Sequence, residues 1–330
     1  MKFLDNFSIL PLDNIKKDSF DCDFFICCSS FEERCHRSSN ILKINKIKIE
    51  NSIIFNYIEK DSENKRDKNF KILQSNLEKI SNKIHIFDKC SVSDPSKGIK
   101  EFKNFLLENS IDLAGKKIIV DISVFTKPYF FILLKLLTEE FFIDDFYVIY
   151  TEPGVYGKRN ETEYLLTEGL FNISHIPGFH GMSVNTDDAL VVLLGFEGNR
   201  TLDIYYNVNP DMTYAINGFP AFQPGWQKKS LELNRRFLSE SKANTHLFNA
   251  PANDPFETKK VLENIVKEIE ETRPDLDIVI APLGTKLQAL GVLLFALSNK
   301  KVRVIYPFPT LYSSNYSENF GNSWIFKINL

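Results

Sequence analysis

The feature that most constrains this chain is a repeat. The same short motifs occur twice, in the same order and at near-equal spacing, so the chain has to fold as two copies of one unit. Residues 23–28 (DFFICC) form a short apolar run followed by Ser29-Ser30-Phe31-Glu32-Glu33-Arg34. Residues 189–194 (ALVVLL) form another, followed by Gly195-Phe196-Glu197-Gly198-Asn199-Arg200. Further on, His85-Ile86-Phe87-Asp88 matches His246-Leu247-Phe248-Asn249, and Asp94-Pro95 matches Asp254-Pro255. Ile118-Ile119-Val120 matches Ile278-Val279-Ile280, Thr126-Lys127 matches Thr285-Lys286, and Val148-Ile149-Tyr150 with Pro153 matches Val304-Ile305-Tyr306 with Pro309.

Within each copy, short apolar runs alternate with amphipathic stretches of helical period. That alternation predicts βαβ units, a parallel sheet and right-handed crossovers. The fold class is therefore α/β: an internal duplication of two Rossmann-like parallel-sheet halves with helices on both faces. The first half spans residues 21–153 and the second 189–330. Residues 1–20 form an N-terminal arm. Residues 154–188, rich in Gly, Asn and Thr, are a linker or excursion with a short helix expected within 162–170. Residues 61–69 are charged and polar, a solvated loop or a helix end. Asp94 and Asp254, each followed by Pro, are expected to cap amphipathic helices.

Composition excludes several classes. Forty basic against 43 acidic residues give a net charge of -3, so no global basic field holds duplex DNA. All five cysteines lie in the first 90 residues, an odd number without a C-x-x-C pair. That pattern points to reduced thiols in a cytoplasmic protein and away from a zinc site; Cys27 and Cys28 read as small core residues. The longest apolar stretch, residues 128–137, is too short to cross a membrane. The chain lacks the G-x-x-x-x-G-K-[ST] loop, the G-x-G-x-x-G turn and the G-x-S-x-G elbow. No cofactor and no metal is expected.

The matched residues fall mostly after strands, where open α/β sheets bind ligands. Ser123, Thr126 and Lys127 lie between a strand and the helix expected over residues 128–138. Backbone N–H groups there would face an anion, with Thr126 donating a hydrogen bond and Lys127 supplying charge. Gly284, Thr285 and Lys286 take the same place in the second half, where Gly284 would let a ligand approach the backbone. Ser29, Ser30 and Glu32, with Gly195 and Glu197 in the second half, form the other lip. The carboxylates would accept from ribose hydroxyls or a base amine, or serve only to favour a helix N-terminus. Arg34 and Arg200 would pair them or a phosphate. Tyr150 and Tyr306, read as strand ends, are core-rim aromatics or base-stacking platforms. His85 and His246 read as structural. The loops at 217–226, 176–181 (with His180) and 312–321 are aromatic or polar segments that either cover a pocket or pack between the halves.

The Asp121-x-Ser123-x-x-x-Lys127 pattern resembles the ligand motif of CRISPR-associated Rossmann-fold (CARF) domains, and a tandem fused version resembles SAVED domains. The resemblance implies binding of a cyclic oligoadenylate-type messenger by Ser29, Ser30, Ser123, Thr126 and Lys127, with Gly284, Thr285 and Lys286 as second-half counterparts. Ala281-Pro282 replaces the Asp-x-Ser start there. Two halves use up this length without an effector domain, so a separate effector protein is the implied partner. Residues 23–26 with Ser29-Ser30 also look like the opening of TIR-type and nucleoside deoxyribosyltransferase-type folds, although Glu32 and Glu33 come too early for their glutamate. The expected function is a cytoplasmic nucleotide sensor in anti-phage defence, its ligand, a cyclic or other nucleotide, held in a cleft between the halves, whose hinge motion acts on the partner. The alternatives are an enzyme that cleaves a nucleotide, at a phosphodiester as ring nucleases do or at an N-glycosidic bond, and a non-catalytic subunit of a complex.

Overall fold

In this computed structural model, which describes residues 8–16, 22–57, 64–156, 167–169, 172–182, 184–312 and 317–330, the apolar runs become buried strands. The first part of the chain forms β1 (Ile9–Pro11), β2 (Cys22–Ser29), β3 (Ile49–Tyr57), β4 (Ser81–Cys90), β5 (Ile118–Asp121) and β6 (Asp145–Tyr156). Between them lie α1 (Arg37–Ile44), α2 (Lys65–Leu77), α3 (Pro95–Glu108) and α4 (Lys127–Glu139). All four residues of β5 and all but one of β2 are buried, as strands covered on both faces must be.

The second part forms β7 (Thr167–Glu168), β8 (Asn172–His175), β9 (Asp187–Leu193), β10 (Met212–Gly218), β11 (Leu247–Ala250), β12 (Leu276–Pro282), β13 (Arg303–Phe308) and β14 (Leu311–Tyr312). Its helices are α5 (Gly198–Val208), α6 (Trp226–Leu233), α7 (Arg235–Glu240), α8 (Pro255–Thr272) and α9 (Lys286–Ser298). A last strand, β15 (Ser317–Asn329), follows.

The first sheet has the order β1-β15-β6-β5-β2-β3-β4 and the second β11-β10-β9-β12-β13-β8; β7 and β14 make a separate ribbon. The core β6-β5-β2-β3-β4 and the core β13-β12-β9-β10-β11 are the same topology, every neighbour parallel. Registers repeat too. Phe24-Phe25-Ile26 pair with Ile118-Ile119-Val120, and Ala189-Leu190-Val191 pair with Ile278-Val279-Ile280. The fold is α/β with two Rossmann-like sheets, as the alternation of elements predicts.

Helices cover both faces of each sheet. In the first, Ile54 packs in a cluster with Leu73 and Leu77 of α2, while its neighbour Phe55 turns the other way, onto Phe102 of α3. In the second, Leu190 and Val192 pack with Leu202 of α5 and Phe237 of α7. Asp94 accepts the N–H of Lys97, and Asp254 accepts those of Phe256 and Glu257, so both expected caps are in place at α3 and α8.

Three segments differ from the sequence reading. Residues 317–330 do not complete the second half: β15 runs antiparallel to β6 and seals the first sheet with Ile325, Phe326 and Ile328. The two compact units are accordingly Met1–Gly157 with Ser313–Leu330, and Lys158–Tyr312. The 154–188 excursion supplies β8, an antiparallel edge of the second sheet. Residues 162–166 and 170 of the expected short helix lie outside the described residues, and 167–168 pair as strand. In the arm, residues 9–11 pair with β15, while 1–7 and 17–20 lie outside the described residues. Of the charged segment 61–69, α2 takes residues 65–69, and 61–63 lie outside the described residues. Among the described residues, no helix is long and apolar enough to cross a membrane.

Candidate functional site

Each sheet reverses its order once, between β2 and β5 in the first unit and between β9 and β12 in the second. Loops diverge at such a switch point and leave a crevice beyond the strand ends. The candidate residues sit there: Ser29 and Ser30 after β2, Ser123 to Lys127 after β5, Gly195 and Glu197 after β9, and Gly284 to Lys286 after β12.

In the first unit these loops are tied by a buried polar network. Ser29 Oγ donates to Asn56 Oδ1 at 2.6 Å. Ser30 Oγ accepts the Glu32 N–H at 3.3 Å, and its carbonyl accepts Asn69 Nδ2 at 3.0 Å. The Glu32 carboxylate receives Arg34 Nε and Nη2, both at 2.9 Å, and the Ser317 hydroxyl. Arg34 is 1% exposed; its Nη1 donates to the Thr151 carbonyl at 3.1 Å, and its guanidinium lies 5.9 Å from the Tyr150 ring centre. The salt-bridge role for Arg34 is thus the observed one, and Glu32 serves it rather than facing a crevice.

Across the switch point, Asp121 closes β5. Its Oδ1 accepts the Ser123 N–H at 2.9 Å and its Oδ2 accepts the Ser38 hydroxyl. Ser123 Oγ accepts the Thr151 N–H at 2.8 Å, and Thr151 Oγ1 shares a hydrogen with Ser323 Oγ at 2.9 Å. Burial raises the Asp121 pKa above its ordinary value, against the lowering effect of the Ser123 and Ser38 bonds. A raised carboxyl pKa favours the folded state below the unfolded value, near 3.8, and that advantage is lost as pH rises through the folded value. Asp121→Asn should therefore flatten the decline in urea midpoint as pH rises above about 4. Glu152, raised by burial in the same unit, would keep part of the slope. An unchanged slope in the variant would contradict the assignment.

Thr126 is the N-cap of α4, yet its side chain makes no capping bond, and its buried Oγ1 has no hydrogen-bond partner. Lys127 is half-buried in the first turn. The equivalent Thr285 is used differently. It accepts the Gln288 N–H in a capping box with α9 and donates to the Ala252 carbonyl at 2.6 Å.

The second unit is otherwise tighter. A Cβ on Gly195 would lie 2.3 Å from the Leu283 carbonyl oxygen, so two backbones meet where the crevice would open. The Gly195 carbonyl accepts Asn234 Nδ2 at 2.7 Å. The space expected over Gly284 is held by the Gln288 amide, 2.3 Å from where a Cβ would stand. Glu197 accepts the Thr167 hydroxyl at 2.5 Å, and Arg200 reaches Asp203 and the Gly169 carbonyl. Lys286 opens α9, half-buried. These glycines serve close packing at the second unit's switch point.

Tyr150 stands in the middle of β6, 1% exposed, and Tyr306 is also buried, so neither offers a face for stacking. His85 lies inside β4 and His246 precedes β11, its ring 4.8 Å from that of Tyr214. All five cysteines are buried thiols. His180 is exposed, 5.5 Å from the His175 ring. In the 217–226 loop Trp226 packs edge-on against Phe196 at 5.5 Å, and the Phe219-Pro220 bond is cis. Of the 312–321 loop, residues 313–316 lie outside the described residues, and 317–321 belong to β15. Ser38 and Thr151 escaped the sequence reading, since no local pattern distinguishes them. No protein-family model matches the chain, and no curated protein sequence matches it.

Proposed function

We propose that the chain is a nucleotide-binding sensor whose ligand sits at the strand ends of its parallel sheets. The observation that carries this reading is the convergence of the paired motifs on the switch point of each sheet, where α/β folds take ligands. The uncapped N-terminus of α4, with Thr126 and Lys127, supports a phosphate there. The close Gly195–Leu283 approach favours the first unit as the principal site. The Asp121-x-Ser123-x-x-x-Lys127 resemblance supports a cyclic oligonucleotide messenger as ligand, a separate effector protein as partner and a place in anti-phage signalling.

Thermal unfolding against mono-, di- and cyclic nucleotides tests the reading. A ligand at a hundredfold excess over its Kd adds about 2.7 kcal/mol, a rise of about 5 °C. Lys127→Ala with Lys286→Ala should abolish the rise. Persistence of the full shift in that variant, or no shift with any nucleotide in the native protein, would refute the proposal. Accumulation of a cleaved product would instead favour the enzymatic alternative.

A further inference from the structure

A second group of polar atoms meets the N-terminus of α4 from the side of β3. Tyr57, the last residue of β3, is 5% exposed, and its hydroxyl has no hydrogen-bond partner. It lies beside the backbone of Thr126, the α4 N-cap, whose own hydroxyl is likewise buried and unpartnered. The Tyr57 ring is fixed: it stands edge-on to Tyr129 of α4, with centres 5.3 Å apart. Arg66, at the start of α2 and 8% exposed, donates Nη1 to the Tyr57 carbonyl at 3.3 Å. Its guanidinium lies 5.9 Å from the Tyr57 ring centre. Lys127 follows Thr126 directly.

Buried hydroxyls without a hydrogen-bonding side chain are costly in an interior that normally pairs its polar atoms. Both can donate a hydrogen bond. They stand at the positive end of a 13-residue helix, which Lys127 opens, and Arg66 packs against Tyr57. The group that satisfies all of these at once is an oxyanion with several acceptor oxygens.

We propose that the Tyr57 and Thr126 hydroxyls form an oxyanion pocket at the N-terminus of α4 that takes a phosphate group, with Arg66 and Lys127 supplying the charge. The proposal rests on the nucleotide reading above and deepens it, by adding β3 and α2 to the site and assigning this corner to phosphate rather than to base or ribose. Neither Tyr57 nor Arg66 belongs to the motifs repeated between the two halves, so the pocket is particular to the first unit.

Tyr57→Phe and Thr126→Val are suited to the test, because each removes a hydroxyl and keeps the shape of the side chain. The probe is inorganic phosphate, titrated at constant ionic strength against chloride, with thermal unfolding as readout. The native protein should gain about 3 °C or more at tenfold excess over the Kd. Each variant should unfold no lower than native without phosphate, yet lose at least tenfold in phosphate affinity. Equal protection of native protein and variants would overturn the proposal, and so would no protection of the native protein, which would leave the two hydroxyls to an ordered water. The nucleotide reading fails separately. Phosphate protection that depends on Tyr57, with no nucleotide effect, keeps the pocket and removes the sensor. A nucleotide shift unaffected by Tyr57→Phe keeps the sensor and removes the pocket.

Discussion

Arg34→Met is expected to destabilise the first unit by about 3–5 kcal/mol, because it leaves the Glu32 carboxylate buried without its cation. The side chains are 1% and 6% exposed, so solvent screens the pair little. Arg34 also holds the Thr151 carbonyl, which joins the β2 loop to β6. Of the two tryptophans, Trp324 lies in the first unit, where its indole N–H donates to Glu152 at 2.7 Å. Denaturant unfolding followed by Trp324 fluorescence, in a Trp226→Phe background, reads this unit apart from the other. The double variant Arg34→Met, Glu32→Gln should recover much of the loss, since it removes both charges. A loss below about 1 kcal/mol in the single variant would mean that the pair contributes as little as a surface salt bridge.

Phe55→Ala should cost a similar amount, about 3–5 kcal/mol, by opening a cavity that its rigid neighbours cannot fill. The Phe55 ring is fully buried, with ring centres at 4.6 Å to Phe102, 5.0 Å to Phe87 and 5.1 Å to Phe125. Phe125 lies in the loop between Asp121 and Thr126, so the same cavity should loosen the proposed site. The checks are the unfolding midpoint and the nucleotide-induced thermal shift. Phe55→Leu should keep most of both. Equal stability of Phe55→Ala and the native protein would show that the cluster collapses without penalty.

The chain has 29 phenylalanines, and Phe142, Phe219 and Phe320 among them are exposed. In the fold Phe25, Phe55, Phe87, Phe102, Phe125, Phe130, Phe131 and Phe146 are fully buried. What the sequence reveals is what local chemistry determines. The apolar runs 23–28 and 118–120 become β2 and β5 because their residues suit strands buried on both faces, and Asp94 and Asp254 cap helices because their carboxylates reach N–H groups two or three residues on. The place of β15 is not legible, since an alternating strand near residue 320 can add to the edge of either sheet. Nor is the Glu32–Ser317 bond, which joins residues far apart in the chain. The surroundings of Gly284 and Thr285 are hidden for a related reason. A glycine and a hydroxyl at a strand end fit a phosphate loop, but Gln288, one helical turn on, occupies both. The Tyr57–Thr126 pairing was hidden because it depends on β3 and α4 meeting in space.

The placement of β15 has a consequence for the order in which this protein is made. The ribosome delivers β6 and then all of the second unit before the strand that seals the first sheet. Until then β6 offers an unpaired edge, the kind of edge that recruits other chains, while Glu32 lacks Ser317 and Thr151 lacks Ser323. The second unit, contiguous in sequence, has every strand of its sheet in hand earlier. A nascent chain arrested before residue 317 should therefore show a protease-resistant second unit beside a first unit still open to cleavage and to holdase chaperones.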